Sequence, residues 1–299
     1  MSGVTVEHTT YEGWEHCIRI TNGHVELVVT TVVGPRVVHF GFVDGRNELF
    51  LDEDTAGATD REEWTLYGGH RLWHAPENDP RTFVPDNDPV EYELTETGCV
   101  LTQPTEADSG MEKTVEVSMA ADAPSVTLDH RITNDGVWPV EFAPWAVTVL
   151  EPGGTGVAPL PQGDPDLLLP DRSVTFWPDA DPGDDRLEWV EDHLLVRHDD
   201  GEELKVGTSG TEEWTAYVND GHALLKSFAW DPEATYPDMG CAVEMFQIPG
   251  FFELETLGPK ATADPGETLT HEEQWTLIDG VDCPETGEDA RALALARSE

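Results

Sequence analysis

Basic residues are scarce in this chain of 299 residues: 16 Lys and Arg stand against 61 Asp and Glu, a formal charge of −45. A chain so poor in cations has no basic stripe to neutralise phosphates. Nucleic acid and anionic membranes are therefore not expected as partners. The acid is spread along the whole sequence rather than gathered in a tail. It repels itself in dilute buffer and is tolerated where salt shortens the screening length to about 3 Å near 1 M. It reads as a halophilic surface and says nothing of a ligand. Cysteine is also scarce. Cys17, Cys99, Cys241 and Cys283 are far apart with no C-x-x-C pair, so no structural zinc site is expected and the thiols should be free. No apolar run approaches the roughly 20 residues that span a bilayer, and the first residues show neither the basic nor the apolar region of a secretion signal. The expected location is the cytoplasm.

What the chain does have is alternation. Hydrophobic residues make up 38% of it, enough for a packed core, so global disorder is excluded. Residues 14–51 alternate short β-branched stretches with Asn-Gly, Gly-Pro and Asp-Gly turn signals. Hairpin turns are expected at 21–24 and 44–47. The pattern resumes from 90 to 149, where Val126, Leu128, His130 and Ile132 share one face by period two. Residues 140–150 read as a buried strand interrupted by Pro144, and 151–172 as a Gly/Pro-rich connection. Further strands are expected at 174–177, 187–196, 203–206, 214–218, 223–230, 242–247, 251–257 and 271–278. A helix is expected only at 285–297, which is Ala-rich with acid first and Arg last. No internal repeat or linker breaks the sequence. The expectation is one all-β domain over 1–299: a sandwich of two antiparallel sheets with a short C-terminal helix.

Residues 67–77, YGGHRLWHAPE, concentrate chemistry. Gly68 and Gly69 let the backbone turn tightly. His70, Arg71, His74 and Glu77 bring titratable or hydrogen-bonding groups, and Tyr67 and Trp73 bring flat apolar faces with polar tips. Between the acidic loop 52–63 and the Pro/Asp loop 77–88, the stretch reads as a recognition loop for a small polar ligand. Sugars need this mix of planes and donors. Alternatively, it is a turn whose cations pair with nearby carboxylates. A metal held by His70, His74, Glu77 and Asp79 is disfavoured because the stretch is not helical, and neither a metal nor a cofactor is expected. Further along, Glu253 and Glu255 lie two apart and so share one face of a strand. Lys226 shares a face with Leu224, Phe228 and Trp230, a setting in which Lys is rarely buried unless paired. Lys205 is similar. Pairs with Glu244, Glu253 or Glu255 are expected for them, or else contact with a ligand. Trp64, Trp73, Trp145 and Trp177 are candidates for stacking on a sugar face.

Several segments in the same order resemble the galactose mutarotase-like supersandwich family. They are ELVVTTVVGPRVVHFGFVDGRNELF in the opening hairpins, TNDGVWPVEFAPWAVTVL in the middle, and FFELETLGP followed by DPGETLTHEEQWTL near the end. The resemblance touches most of residues 20–280. It implies an antiparallel supersandwich and a small-molecule sugar partner. Aldose 1-epimerases of that family use a Glu base on the late strand, which carries over to Glu255 in Leu254-Glu255-Thr256. Their acid is a His that would fall near residues 144–146, where this chain has Trp145. Two functions follow. One is an aldose 1-epimerase-like isomerase with Glu255 as base, His70 or His74 as substitute acid, and Arg71, Trp73, Glu77, Lys226 and Glu253 binding substrate. The other is a carbohydrate-binding protein that uses the same cleft without catalysis. One cleft is expected to hold Glu255, Arg71 and at least one of His70 and His74.

Overall fold

The computed structural model describes residues 3–164, 166 and 168–296. Two antiparallel sheets face each other, one of 11 strands and one of 10. The larger sheet runs Thr5–Tyr11, Trp14–Thr21, Val25–Thr30, Arg36–Phe42, His70–Ala75, Val140–Leu150, Phe251–Leu257, Val243–Ile248, Leu204–Thr208 and Val174–Phe176, with Ala261–Ala263 paired to Val140–Leu150. The smaller runs Leu187–Val190, His193–Arg197, Thr155–Pro159, Trp214–Asn219, His222–Phe228, Thr268–Asp279, Ser125–Asn134, Met111–Met119, Gly98–Thr102 and Glu91–Leu94. Among the described residues one helix, Gly287–Ala296, follows. It begins two residues later than the composition implied, and Arg297 lies outside the described residues. No helix among the described residues is long and apolar enough to cross a membrane.

The smaller sheet shows why the sequence reads so clearly as β. Met111–Met119 and Ser125–Asn134 alternate buried and half-buried positions along most of their length, as strands with one wet face must. Their buried side chains, with Ile18, Leu27, Phe40, Leu72 and Phe252 from the other sheet, form the main core. Each fully buried aliphatic or aromatic side chain there contributes about 1.5–3 kcal/mol.

The centre of the larger sheet behaves differently. All six residues of His70–Ala75 and all seven of Phe251–Leu257 are buried. One face meets the core. The other carries a second cluster of Trp73, Ala75, Ala143, Trp145, Val147 and Leu257, with Trp64 and Phe83 from the flanking loops packed against it. A strand covered on both faces has no polar alternation, which is why 67–77 reads as a loop from sequence. That reading is corrected: only its start is a turn, and from His70 it is a central strand. Tyr67, Gly68 and Gly69 all take positive φ, 49°, 88° and 71°. A Cβ at Gly68 or Gly69 would stand 2.2 Å from the Phe50 or Val37 carbonyl oxygen, so only glycine fits. Pro144 likewise does not interrupt its strand, which runs unbroken for 11 residues. The stretch 187–196 is a hairpin of two strands rather than one.

Candidate functional site

Strand parity decides which side chains meet. Register places Arg71 opposite Val147, and Val147 opposite Glu255. Glu255 in turn lies opposite Glu244. Trp73 lies opposite Trp145, and Glu253 opposite Phe246, itself opposite Lys205. All of these point away from the main core. Above them lies a cleft of about 380 Å³, lined by Trp64, Arg71, Trp73, Glu77, Phe83, Trp145, Trp177, Glu203, Lys205, Phe246, Phe251 and Glu253 among others. Small-ligand clefts typically hold about 300–1,000 Å³.

Two cations anchor its floor. The Arg71 Nη2 donates to Glu253 Oε1 at 3.0 Å, and the guanidinium lies 4.1 Å from the Trp73 ring centroid and 5.7 Å from that of Trp64. Its Nε and Nη1, and Trp64 Nε1, are buried without a protein partner. Lys205 Nζ sits between two carboxylates, 2.8 Å from Glu244 Oε2 and 3.0 Å from Glu255 Oε2, and about equally near the Trp145 and Trp177 rings at 4.7 and 4.9 Å. Trp145 Nε1 donates to the same Glu255 oxygen at 2.6 Å.

The electrostatics follow from burial and crowding. Burial disfavours the Lys205 ammonium, but Glu255 and Glu244 outweigh it and hold the group above its ordinary pKa. Burial pushes Glu244 well up, opposed by Lys205 and reinforced by Glu255. Glu253 is raised by burial, with Arg71 opposing. Glu77 is also raised by burial and has no ion-pair partner among the described residues.

The expected constellation is met only in part. Arg71, Trp73, Glu77 and Glu253 line the cleft. Glu255 does not: it is fully buried beneath Lys205 and Trp145, so the carboxylates that reach the cleft wall are Glu77, Glu203 and Glu253. His70 and His74 are corrected outright. They alternate with Arg71 and Trp73 along one strand and so project to the opposite face, into the interior of the sandwich. Lys226 is corrected too. Its face of the His222–Phe228 strand points inward, where Nζ meets Glu273 Oε1 at 2.9 Å and the Leu254 carbonyl at 3.0 Å.

The inward groups form a closed network. His130 Nδ1 donates to the His271 carbonyl at 2.9 Å. A neutral His130 therefore has a bare Nε2, which accepts from His70 Nε2–H at 2.8 Å. That leaves His70 Nδ1 to accept from the Thr148 hydroxyl, 2.8 Å away. Thr256 accepts from His271 Nε2 and donates to Glu273 Oε1 at 2.5 Å, and Trp275 Nε1 donates to Glu273 Oε2 at 2.8 Å. Burial holds His70 well below its usual pKa and lowers His130 and His271, the last to about 3. Burial alone would raise Glu273, but Lys226 and the imidazoles keep it below the usual carboxylate range.

Sequence reasoning offered Trp64, Trp145 and Trp177 for stacking and Lys205 for a carboxylate pair or ligand contact, and all four line the cleft; it missed Phe83, Phe246, Phe251 and Glu203. A signal existed for Phe251, which shares parity with Glu253 on one strand. None existed for Phe246 and Glu203, whose neighbours are set by pairing across strands.

No family model matches the sequence, and no curated protein matches it. Solved structures do. A galactose mutarotase-like protein from Lactobacillus casei is 11% identical with a TM-score of 0.60, over 88% of this chain and 100% of that one. A candidate aldose 1-epimerase from Klebsiella pneumoniae is 11% identical with a TM-score of 0.59, over 99% and 87%. A TPR-domain containing protein from Parabacteroides distasonis is 16% identical with a TM-score of 0.58, over 91% of this chain, which spans only 49% of that protein. The fold is that of the galactose mutarotase-like sandwiches.

Proposed function

We propose that this galactose mutarotase-like sandwich is a carbohydrate-recognising protein that holds one sugar ring in the cleft over Arg71, Lys205 and Glu253. The observation that carries the reading is the mismatch of hydrogen-bonding groups in that cleft. Buried donors on Arg71 and Trp64 lack partners, while Glu77, Glu203 and Glu253 offer acceptors on the same walls. A hydroxyl is donor and acceptor at once, so a polyol satisfies both sets, and the apolar faces of a sugar ring suit the indole and phenyl walls. A purely apolar ligand would leave the buried donors unsatisfied, at about 1–3 kcal/mol each.

Recognition is favoured over ordinary anomer interconversion. That reaction needs an acid and a base reaching one ring. Here Glu255 is covered, Trp145 stands where the resemblance expects the acid, and His70 and His74 face the other way. The test is calorimetry with a panel of aldoses, paired with polarimetry on freshly dissolved sugars. The expected result is saturable binding with no acceleration of mutarotation. If mutarotation is accelerated and the rate survives in Glu253→Gln but not in Glu255→Gln, the isomerase reading replaces this one. No binding of any sugar sinks both.

A further inference from the structure

A second cavity, of about 330 Å³, lies at one end of the sandwich between loop 84–88 and turn 103–108. Its chemistry is the reverse of the cleft's. Three of its lining residues carry buried oxygens without a protein partner: Asp86 Oδ1, Asn87 Oδ1 and Gln103 Oε1. No lining residue carries a buried unpartnered donor. The two amides cannot be turned to present nitrogen instead. Asn87 Nδ2 is committed to the Arg61 and Glu63 carbonyls at 3.1 and 2.8 Å, and Gln103 Nε2 to Glu106 Oε1 at 3.0 Å. Asn87 and Gln103 are 8% and 4% exposed, so these oxygens are held in place rather than free to seek water. Asp86 is held in the same way, its other oxygen bound to Arg36 Nη2 at 2.6 Å. At the rim, Asp88 and Asp108 are exposed.

We infer that this cavity is a site for a hard divalent cation of the calcium class, held by the Asp86 carboxylate and the Asn87 and Gln103 amide oxygens, with Asp88 and Asp108 at its mouth. The donor set is all oxygen and mixes carboxylate with amide carbonyl, as calcium prefers. It includes no imidazole or thiolate to favour a softer metal. Nearby positive charge is mostly spent: Arg36 is paired with Asp86 and Lys113 with Glu106, leaving Arg61 against Glu62, Asp88 and Asp108 along the lining. The walls are Val84, Pro85, Pro104 and Ala107 rather than aromatic, so a sugar ring has no plane to stack on. Ligands drawn from separate loops suit the flexible, water-completed shell of calcium better than the tight octahedron of magnesium.

The test is calorimetric titration of the full chain with calcium chloride in about 1 M potassium chloride, where diffuse attraction to the acidic surface is screened. One saturable calcium per chain is expected, with magnesium bound more weakly. Gln103→Met should lower calcium affinity by at least about tenfold, and Asp88→Asn with Asp108→Asn by a smaller factor, since affinity follows ligand number and charge. If circular dichroism shows that Gln103→Met no longer folds, the exposed Asp88→Asn, Asp108→Asn pair carries the test alone. Unsaturable heat that vanishes in salt, affinity unchanged in the folded variants, or preference for magnesium would each overturn the inference. None of these outcomes bears on sugar binding in the cleft.

Discussion

The two faces of the His70–Ala75 strand hold similar kinds of side chain and treat them in opposite ways. Inward, His70 joins a network in which His130, His271, Thr256, Glu273, Lys226 and Trp275 are all hydrogen-bonded to one another or to backbone. Outward, Arg71 and Lys205 are each paired, yet donors on Arg71 and acceptors on Glu244 and Glu255 remain open. A finished network specifies the packing of two sheets. The open donors on Arg71, which line the cleft, are what the proposed sugar would complete. Burial does not tell the two apart, since both faces are buried, but the completeness of the hydrogen bonding does.

That contrast breaks most sharply at Glu273. Glu273→Gln leaves the fully buried Lys226 ammonium without its counter-charge, and losing one partner of such a pair costs about 3–5 kcal/mol. The expected outcome is a large fall in unfolding free energy by denaturant titration, with sugar affinity of the folded fraction unchanged. A stability effect under about 1 kcal/mol, the scale of an exposed ion pair, would show that the inward network is not structural. On the outward face the signs reverse. Arg71→Ala should weaken sugar binding by about 1.5–3 kcal/mol, the range for hydrogen bonds to charged groups, or about 10–150-fold. Arg71→Lys should not restore it, because an ammonium cannot both stack on Trp73 and spread its donors as a guanidinium does. Equal affinities for Lys and Arg at this position would remove the guanidinium from the site.

The smallest effect sharpens the comparison at its one exception. His74 points inward, but both its ring nitrogens are buried without a partner, and burial lowers its pKa to about 3. The unfolded chain, with an ordinary imidazole near pH 6.5, takes up a proton that the folded chain refuses. Stability from this group is therefore complete above about pH 6.5 and is lost as pH falls toward about 3. His74→Phe should leave the melting temperature at neutral pH level or slightly raised and flatten its decline on the acid side. An unchanged acid slope would mean that the slope belongs to His70, His130 and His271, which titrate in the same direction.

The architecture was most legible where a strand has one wet face. Period two survives in Met111–Met119 and in Ser125–Asn134, and the turn chemistry of Asn22 is visible in its capture of the His24 and Val25 amides. Legibility failed where strands are covered on both sides. His70–Ala75 has no polar alternation to announce a strand, so its histidines and its Arg71 seemed to share one loop. Glu253 and Glu255 share a face as expected, but which of them meets solvent depends on Lys205 and Trp145, brought there by pairing with distant strands. Lys226 was placed on the right face of its strand. No sequence signal tells which sheet that face belongs to, or that Glu273 waits opposite.

The glycine doublet before this strand has a consequence for how the protein can change. Gly68 and Gly69 lie against the Phe50 and Val37 carbonyls with no room for a side chain, which locks the phase in which the strand enters the sheet. Point substitutions further along can alter Arg71 or Trp73 one at a time and leave the other face intact. A single inserted residue after Gly69 would exchange the two faces wholesale, sending the guanidinium inward and the imidazoles outward. In evolutionary terms the strand is open to substitution and closed to length change, so its history should be written in replacements and not in gaps.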